Sequence, residues 1–130
     1  MHYGFRGLEI YQLSFDLSVK IHHLTLKLPK YETYEEGSQL RRSSKSIPSN
    51  IAEGYGRKRY RNDFVKFIAY ALSSCDETSV HLDILVNTNS ISKEEHKYFI
   101  NKYKELGIKI NYFLRSITNN YLSRHSDKET

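Results

Sequence analysis

Apolar residues recur along this chain every three or four positions, in four blocks separated by polar or glycine-bearing connectors. That spacing marks one face of an amphipathic helix. Ile10, Leu13, Leu17, Ile21, Leu24 and Leu28 predict a first helix from about Leu8 to Leu28. Pro29 ends it, because proline lacks an N–H and disfavours helix in the residue before it. Thr33 and Glu36 then fit an S/T-x-x-E capping box, which predicts a second helix from about Tyr34 to Ala52. Its stripe of Leu40, Ser44, Ile47 and Ile51 is narrow and serine-rich, so this helix approaches its neighbours closely. Pro48 inside it predicts a kink or break between Ser44 and Pro48.

Gly54 and Gly56 form a stop signal, and a basic connector follows. A third helix is predicted from about Arg61 to Asn87, on the stripe Phe64, Phe67, Ile68, Ala71, Leu72, Cys75, Thr78, Leu82 and Leu85. The polar turn 87–90 and a second capping box, Ser92 with Glu95, open a fourth helix from about Lys93 to Leu122. Phe99, Tyr103, Leu106, Ile110, Phe113, Leu114, Ile117 and Tyr121 form its apolar face. Four such helices on short connections must alternate in direction. The fold expectation is therefore all-α, an antiparallel up-and-down four-helix bundle over residues 1–122 with a frayed polar tail over 123–130.

Composition sharpens this picture. A length of 130 residues suits one domain and buries a core without disulfides or metals. Two prolines and six glycines leave long stretches unbroken, which favours helices over a many-turned β fold. The single Cys75 lies within a helical stripe and reads as a small buried hydrophobe. The opening residues lack the pattern of a secretory signal, and no apolar run approaches the ~18–20 residues of a membrane span. A cytoplasmic location is expected.

The net charge is +5, and its placement is more informative than its size. Residues 39–66 carry Arg41, Arg42, Lys45, Arg57, Lys58, Arg59, Arg61 and Lys66 against only Glu53 and Asp63. The run 57–61 sits at a connector, where cations reach phosphates, and Tyr55 and Tyr60 interleave with it as stacking platforms for unpaired bases. Two blander readings stand beside this one: a solvated, charged bundle end, and a surface for an acidic protein. Arg42, Ser46, Ser49 and Glu53 share one polar stripe of the second helix, with Asn50 beside it. Ser46, Pro48, Ser49, Asn50, Glu53 and Gly54 are read as structural or subunit-interface positions.

Nothing in the pattern points to catalysis, a metal or a cofactor. His22 and His23 are adjacent and diverge on a helix, and His81, His96 and His125 are scattered, so the i, i+4 spacing of a metal pair is absent. No G-x-S-x-G turn exists, and Gly54-Tyr55-Gly56 lacks the Lys-Ser/Thr of a phosphate loop. The pairs Glu35–Glu36 and Glu94–Glu95 fall in first helical turns, where they complement the helix dipole.

The segments Gln39 to Ser43 and Ser46-Ile-Pro-Ser-Asn-Ile-Ala-Glu-Gly-Tyr-Gly-Arg57 closely resemble the signature of the 23S rRNA intervening-sequence protein family. Asp63 to Phe67, Ser73 to Glu77 and the stretch Leu8 to Pro29 resemble its other helices, with Cys75-Asp76 and the Tyr11 opening as departures. The resemblance implies a four-helix bundle assembling as a homopentamer around a channel. Some relatives are encoded within interrupted ribosomal RNA genes. Others serve as accessory proteins of diversity-generating retroelements, binding nucleic acid and a reverse transcriptase. The reading that follows is a non-catalytic oligomer binding RNA or DNA through Arg41, Arg42, Lys45, Arg57, Lys58, Arg59 and Arg61, with Tyr55 and Tyr60 stacking. The alternative is a protein-interaction scaffold docking a polymerase or another acidic partner.

Overall fold

In the computed structural model, the backbone of residues 4–129 and the side chains of residues 4–119 are described. After a 3₁₀ turn at Gly4–Gly7 come α1 (Glu9–Leu26), a single turn α2 (Lys30–Thr33), α3 (Glu36–Gly56), α4 (Arg61–Asn87) and α5 (Lys93–Glu129). No strand occurs among the described residues. Both boundaries of α4 fall where the sequence places them. The last helix continues to Glu129, past Leu122 and through the stretch read as a frayed tail.

The four long helices close into a ring in the order α1, α3, α4, α5, with α5 returning to α1. Each neighbouring pair is antiparallel, as side-chain contacts along it show. On α1 and α3, Thr25 meets Arg41 and His22 meets Lys45. On α3 and α4, Glu36 meets His81 and Ser43 meets Thr78. On α4 and α5, Asp83 meets His96 and Cys75 meets Tyr103. Glu9 with Lys109, and Lys20 with Tyr98, complete the circuit from α1 to α5.

The core is the one the helical stripes mark out. Ile21, Leu40, Ile47, Ile51, Ile68, Leu82, Leu85, Leu106 and Ile110 are fully enclosed. Burying an aliphatic side chain of this size contributes about 1.5–3 kcal/mol. Cys75 is buried as expected; desolvation there pushes its thiol up to about 12, and its S–H donates to the Tyr103 carbonyl at 3.3 Å. The Tyr103 hydroxyl is buried with no hydrogen-bond partner among the described residues. Desolvation moves its ionisation far above the ordinary phenol range.

The seam between α3 and α4 is the most extensive in the bundle, and small residues sit in it. At Gly54 a Cβ would lie 3.1 Å from Phe67 Cβ and 3.3 Å from Ile68 Cδ1, so this glycine is there for helix approach rather than to stop the helix. Ser43 and Thr78 face each other in the same seam, their hydroxyl oxygens 3.0 Å apart.

Two local expectations are corrected. Thr33 and Glu36 make no capping box: the Thr33 hydroxyl turns back to the Leu28 and Pro29 carbonyls, each at 3.2 Å. The Glu36 N–H is capped instead by the Glu32 carboxylate at 3.3 Å, from the intervening turn α2. Nor does Pro48 break its helix. Assignment as α-helix is continuous from Glu36 to Gly56, with Pro48 buried against the bundle so that packing holds the turn that lacks one backbone bond. The Ser92–Glu95 box forms as expected, with reciprocal bonds of 2.9 and 3.0 Å. No helix among the described residues is long and apolar enough to cross a membrane.

Candidate nucleic-acid interface

Antiparallel packing sends the two halves of the basic segment to opposite ends of the bundle. Arg42 lies in the second turn of α3 and Arg57 just beyond its last residue, so about 22 Å of helix axis separates them. Arg41 faces inward: its guanidinium donates to Thr25 Oγ1 at 2.9 Å and to the Thr33 carbonyl at 3.0 Å, tying α3 to α1 and α2. Lys45 also turns towards α1, its Nζ 3.2 Å from His22 Nδ1. Arg42 stays exposed on the outer face. The sequence had grouped all three with the connector, but helical geometry separates them.

At the connector the cations divide again. Arg57 bridges Glu53 at 2.9 Å and Asp63 at 3.4 Å, and its guanidinium lies 5.2 Å from the Phe67 ring centroid. The Glu53 hydrogen bond, chiefly, raises its already high pKa. Lys58 donates to the Tyr55 hydroxyl at 3.1 Å and sits 4.2 Å from that ring's centroid, while Tyr55 packs edge-on against Phe64. Tyr55 is therefore a support for Lys58. Arg59 is exposed and makes no hydrogen bond or ion pair with a described residue, and Tyr60 beside it is 66% exposed. Arg61 donates to Asn62 Oδ1 at 3.2 Å and is partly buried at the start of α4.

Folding brings further charge to this end that the sequence order hides. Arg6 from the 3₁₀ turn and Lys109 and Arg115 from α5 join Lys66 of α4. Residues 4–12, 53–66 and 109–119 together hold eight cations against three carboxylates, Glu9, Glu53 and Asp63. All three carboxylates are engaged internally, Glu9 by Lys109 and the other two by Arg57. Arg6 and Arg115 were missed because nothing in linear order relates them to residue 59. Only the ring of antiparallel helices puts them level with it.

Within the chain, the residues read as structural or interface positions make local contacts. Ser46, Ser49 and Asn50 bond to carbonyls of their own helix, at Ser43, Lys45 and Ser46, over 2.8–2.9 Å. Pro48 and Gly54 are buried in the monomer, and Glu53 holds Arg57.

The model of the 23S rRNA-intervening sequence protein family matches residues 6–112. The chain belongs to that family. Among solved structures it is similar to a protein of unknown function from the S23 ribosomal protein family of Bacteroides thetaiotaomicron, at 25% identity and a TM-score of 0.75, over 82% of this chain and 95% of that one. No curated protein matches the chain. The family match spans α1, α3, the basic connector and α4 and ends within α5.

Proposed function

We propose that this family member is a non-catalytic helical-bundle protein that binds unpaired RNA at the connector end of the bundle. One observation carries the proposal: the described carboxylates there are already held by Arg57 and Lys109, which leaves Lys58 and Arg59 exposed without a carboxylate of the described residues beside them. Uncompensated cations attract phosphate through counterion release, and the attraction is independent of sequence. Tyr60, exposed next to Arg59, supplies a face on which a base stacks. Lys58, Arg59 and Arg61 form the centre of the contact, Arg6, Lys66 and Arg115 its rim, and Arg42 a separate outlying charge.

The proposal includes self-assembly, as the resemblance implies for a pentamer. Tyr70, Val80, Ile84, Ile108 and Tyr112 leave apolar surface in water on the outer faces of α4 and α5, and burial between copies would remove it. Five copies would carry a formal charge of about +25 and repeat the basic end around a ring, raising avidity without a better single contact.

Fluorescence polarisation with a labelled single-stranded RNA, run between 50 and 200 mM salt, tests the binding. About four neutralised phosphates predict a log–log slope near −3 for a single strand. Binding that ignores salt, or binds an acidic protein and no RNA, would replace this reading with the scaffold role.

A further inference from the structure

A second feature lies on the opposite side of the ring from the α4 and α5 surfaces. Between α1 and α3, and closed at one end by the 3₁₀ turn, runs a groove of about 490 Å³. That volume lies within the range of small-molecule sites. One wall is an aromatic ladder in which Phe5 meets Tyr11 edge-on at 4.9 Å and Tyr11 meets Phe15 at 5.8 Å. Pro48 and Ala52 of α3 form the other wall. Phe15 and Val19 leave 52% and 42% of their surface in water, an arrangement with no benefit to the free monomer.

The polar groups of the groove are gathered at the end away from Phe5. Lys45 and His22 meet there, Nζ to Nδ1 at 3.2 Å, and no carboxylate is among the described residues that line the groove. The two serines present, Ser18 and Ser49, already donate to carbonyls of their own helices at 2.7 and 2.9 Å. The Lys45 ammonium, above all other influences, lowers the pKa of His22, and a neutral ring that accepts the ammonium's hydrogen bond at Nδ1 carries its N–H at Nε2 as a second donor. The site thus offers one ammonium and one imidazole N–H at the end of an apolar trough.

Shape narrows the occupant. From Tyr11 to His22 the groove follows about 17 Å of helix axis. A slender molecule with one anionic end fits both the volume and the charge. We propose that the α1–α3 groove binds a single-tailed aliphatic carboxylate, with its tail along Phe5, Tyr11, Phe15 and Val19 and its head at Lys45 and His22. This site is separate from the connector end and does not depend on the RNA-binding proposal.

Isothermal titration of the full chain with decanoate, below its micelle concentration, tests the proposal against two probes: decanol, which has the tail without the charge, and butyrate, which has the charge with a short tail. The expected result is saturable one-to-one binding of decanoate, at least tenfold tighter than either probe. Lys45→Met keeps the stem and removes the charge, and it should weaken decanoate at least fivefold while leaving decanol unchanged. Ala52→Phe fills the trough and should abolish binding with the helical circular dichroism intact. Equal affinity for decanol and decanoate, no effect of Lys45→Met, or no saturable heat would overturn the proposal. So would a fall in particle mass by light scattering on adding decanoate, because the groove would then be a contact between copies of the chain.

Discussion

The two ends of the bundle use their charged residues in opposite ways. At the end where α1 meets α2 and α3, charges are ties. Glu32, buried, accepts from the Glu36 N–H and from the Ser90 hydroxyl, joining α2 to α3 and to the turn before α5. Arg41 joins α3 to α1, His81 joins α4 to Glu36 at 2.7 Å, and His96 joins α5 to Asp83 at 2.7 Å. At the connector end, Arg57 and Lys109 engage the carboxylates, and Arg6, Lys58, Arg59, Lys66 and Arg115 are exposed. A basic residue is thus evidence for an anionic partner only after its own chain has had first claim on it.

That contrast can be broken at several points. The largest effect is expected for the combined Lys58→Gln, Arg59→Gln and Arg61→Gln variant. RNA affinity should fall about 100-fold near 100 mM salt, equivalent to about 2.7 kcal/mol, and the salt slope should flatten by about 2. Polarisation titrations measure both, and an unchanged slope would remove the connector from the interface.

Arg41→Ala should do the reverse. Losing charged hydrogen bonds to Thr25 and the Thr33 carbonyl costs about 1–3 kcal/mol in urea unfolding, with the salt slope of RNA binding unaltered. Glu32→Ala at the same end should cost about 1–2 kcal/mol, since it uncaps α3 and frees the Ser90 hydroxyl. Arg57→Gln sharpens the comparison within the connector. Its loss frees Glu53 and Asp63 beside Lys58 and Arg59, so RNA affinity should fall about threefold to tenfold in the same polarisation titrations. Tyr103→Phe is the smallest: removing a buried hydroxyl that has no partner among the described residues should leave urea stability within about 0.5 kcal/mol or raise it slightly.

Much of the architecture was legible in linear order because helical periodicity is a local property. The stripe Phe64 to Leu85 needed no knowledge of its partner to be placed on α4, and the Ser92–Glu95 box needed only three residues of separation. The errors were also local, and they have one cause. Thr33 matched a capping pattern, but the single turn α2 brought the Glu32 carboxylate to the Glu36 N–H first. Pro48 matched a breaker, but burial in the core held its helix together. The site was legible only in part. Sequence placed Lys58, Arg59 and Tyr60 at an exposed connector, but it grouped Arg41 and Lys45 with them and omitted Arg6 and Arg115.

By itself, then, the sequence determined the number and type of long helices, their apolar faces, and the segment in which positive charge gathers. These follow from spacings of three and four residues and from turn chemistry, whose physics is complete within a few neighbours. The tertiary structure alone decided which cations face solvent, which carboxylates neutralise them, and that an apolar groove opens between α1 and α3. Those outcomes depend on distances between residues remote in the chain, such as Glu9 and Lys109, and no local periodicity encodes them.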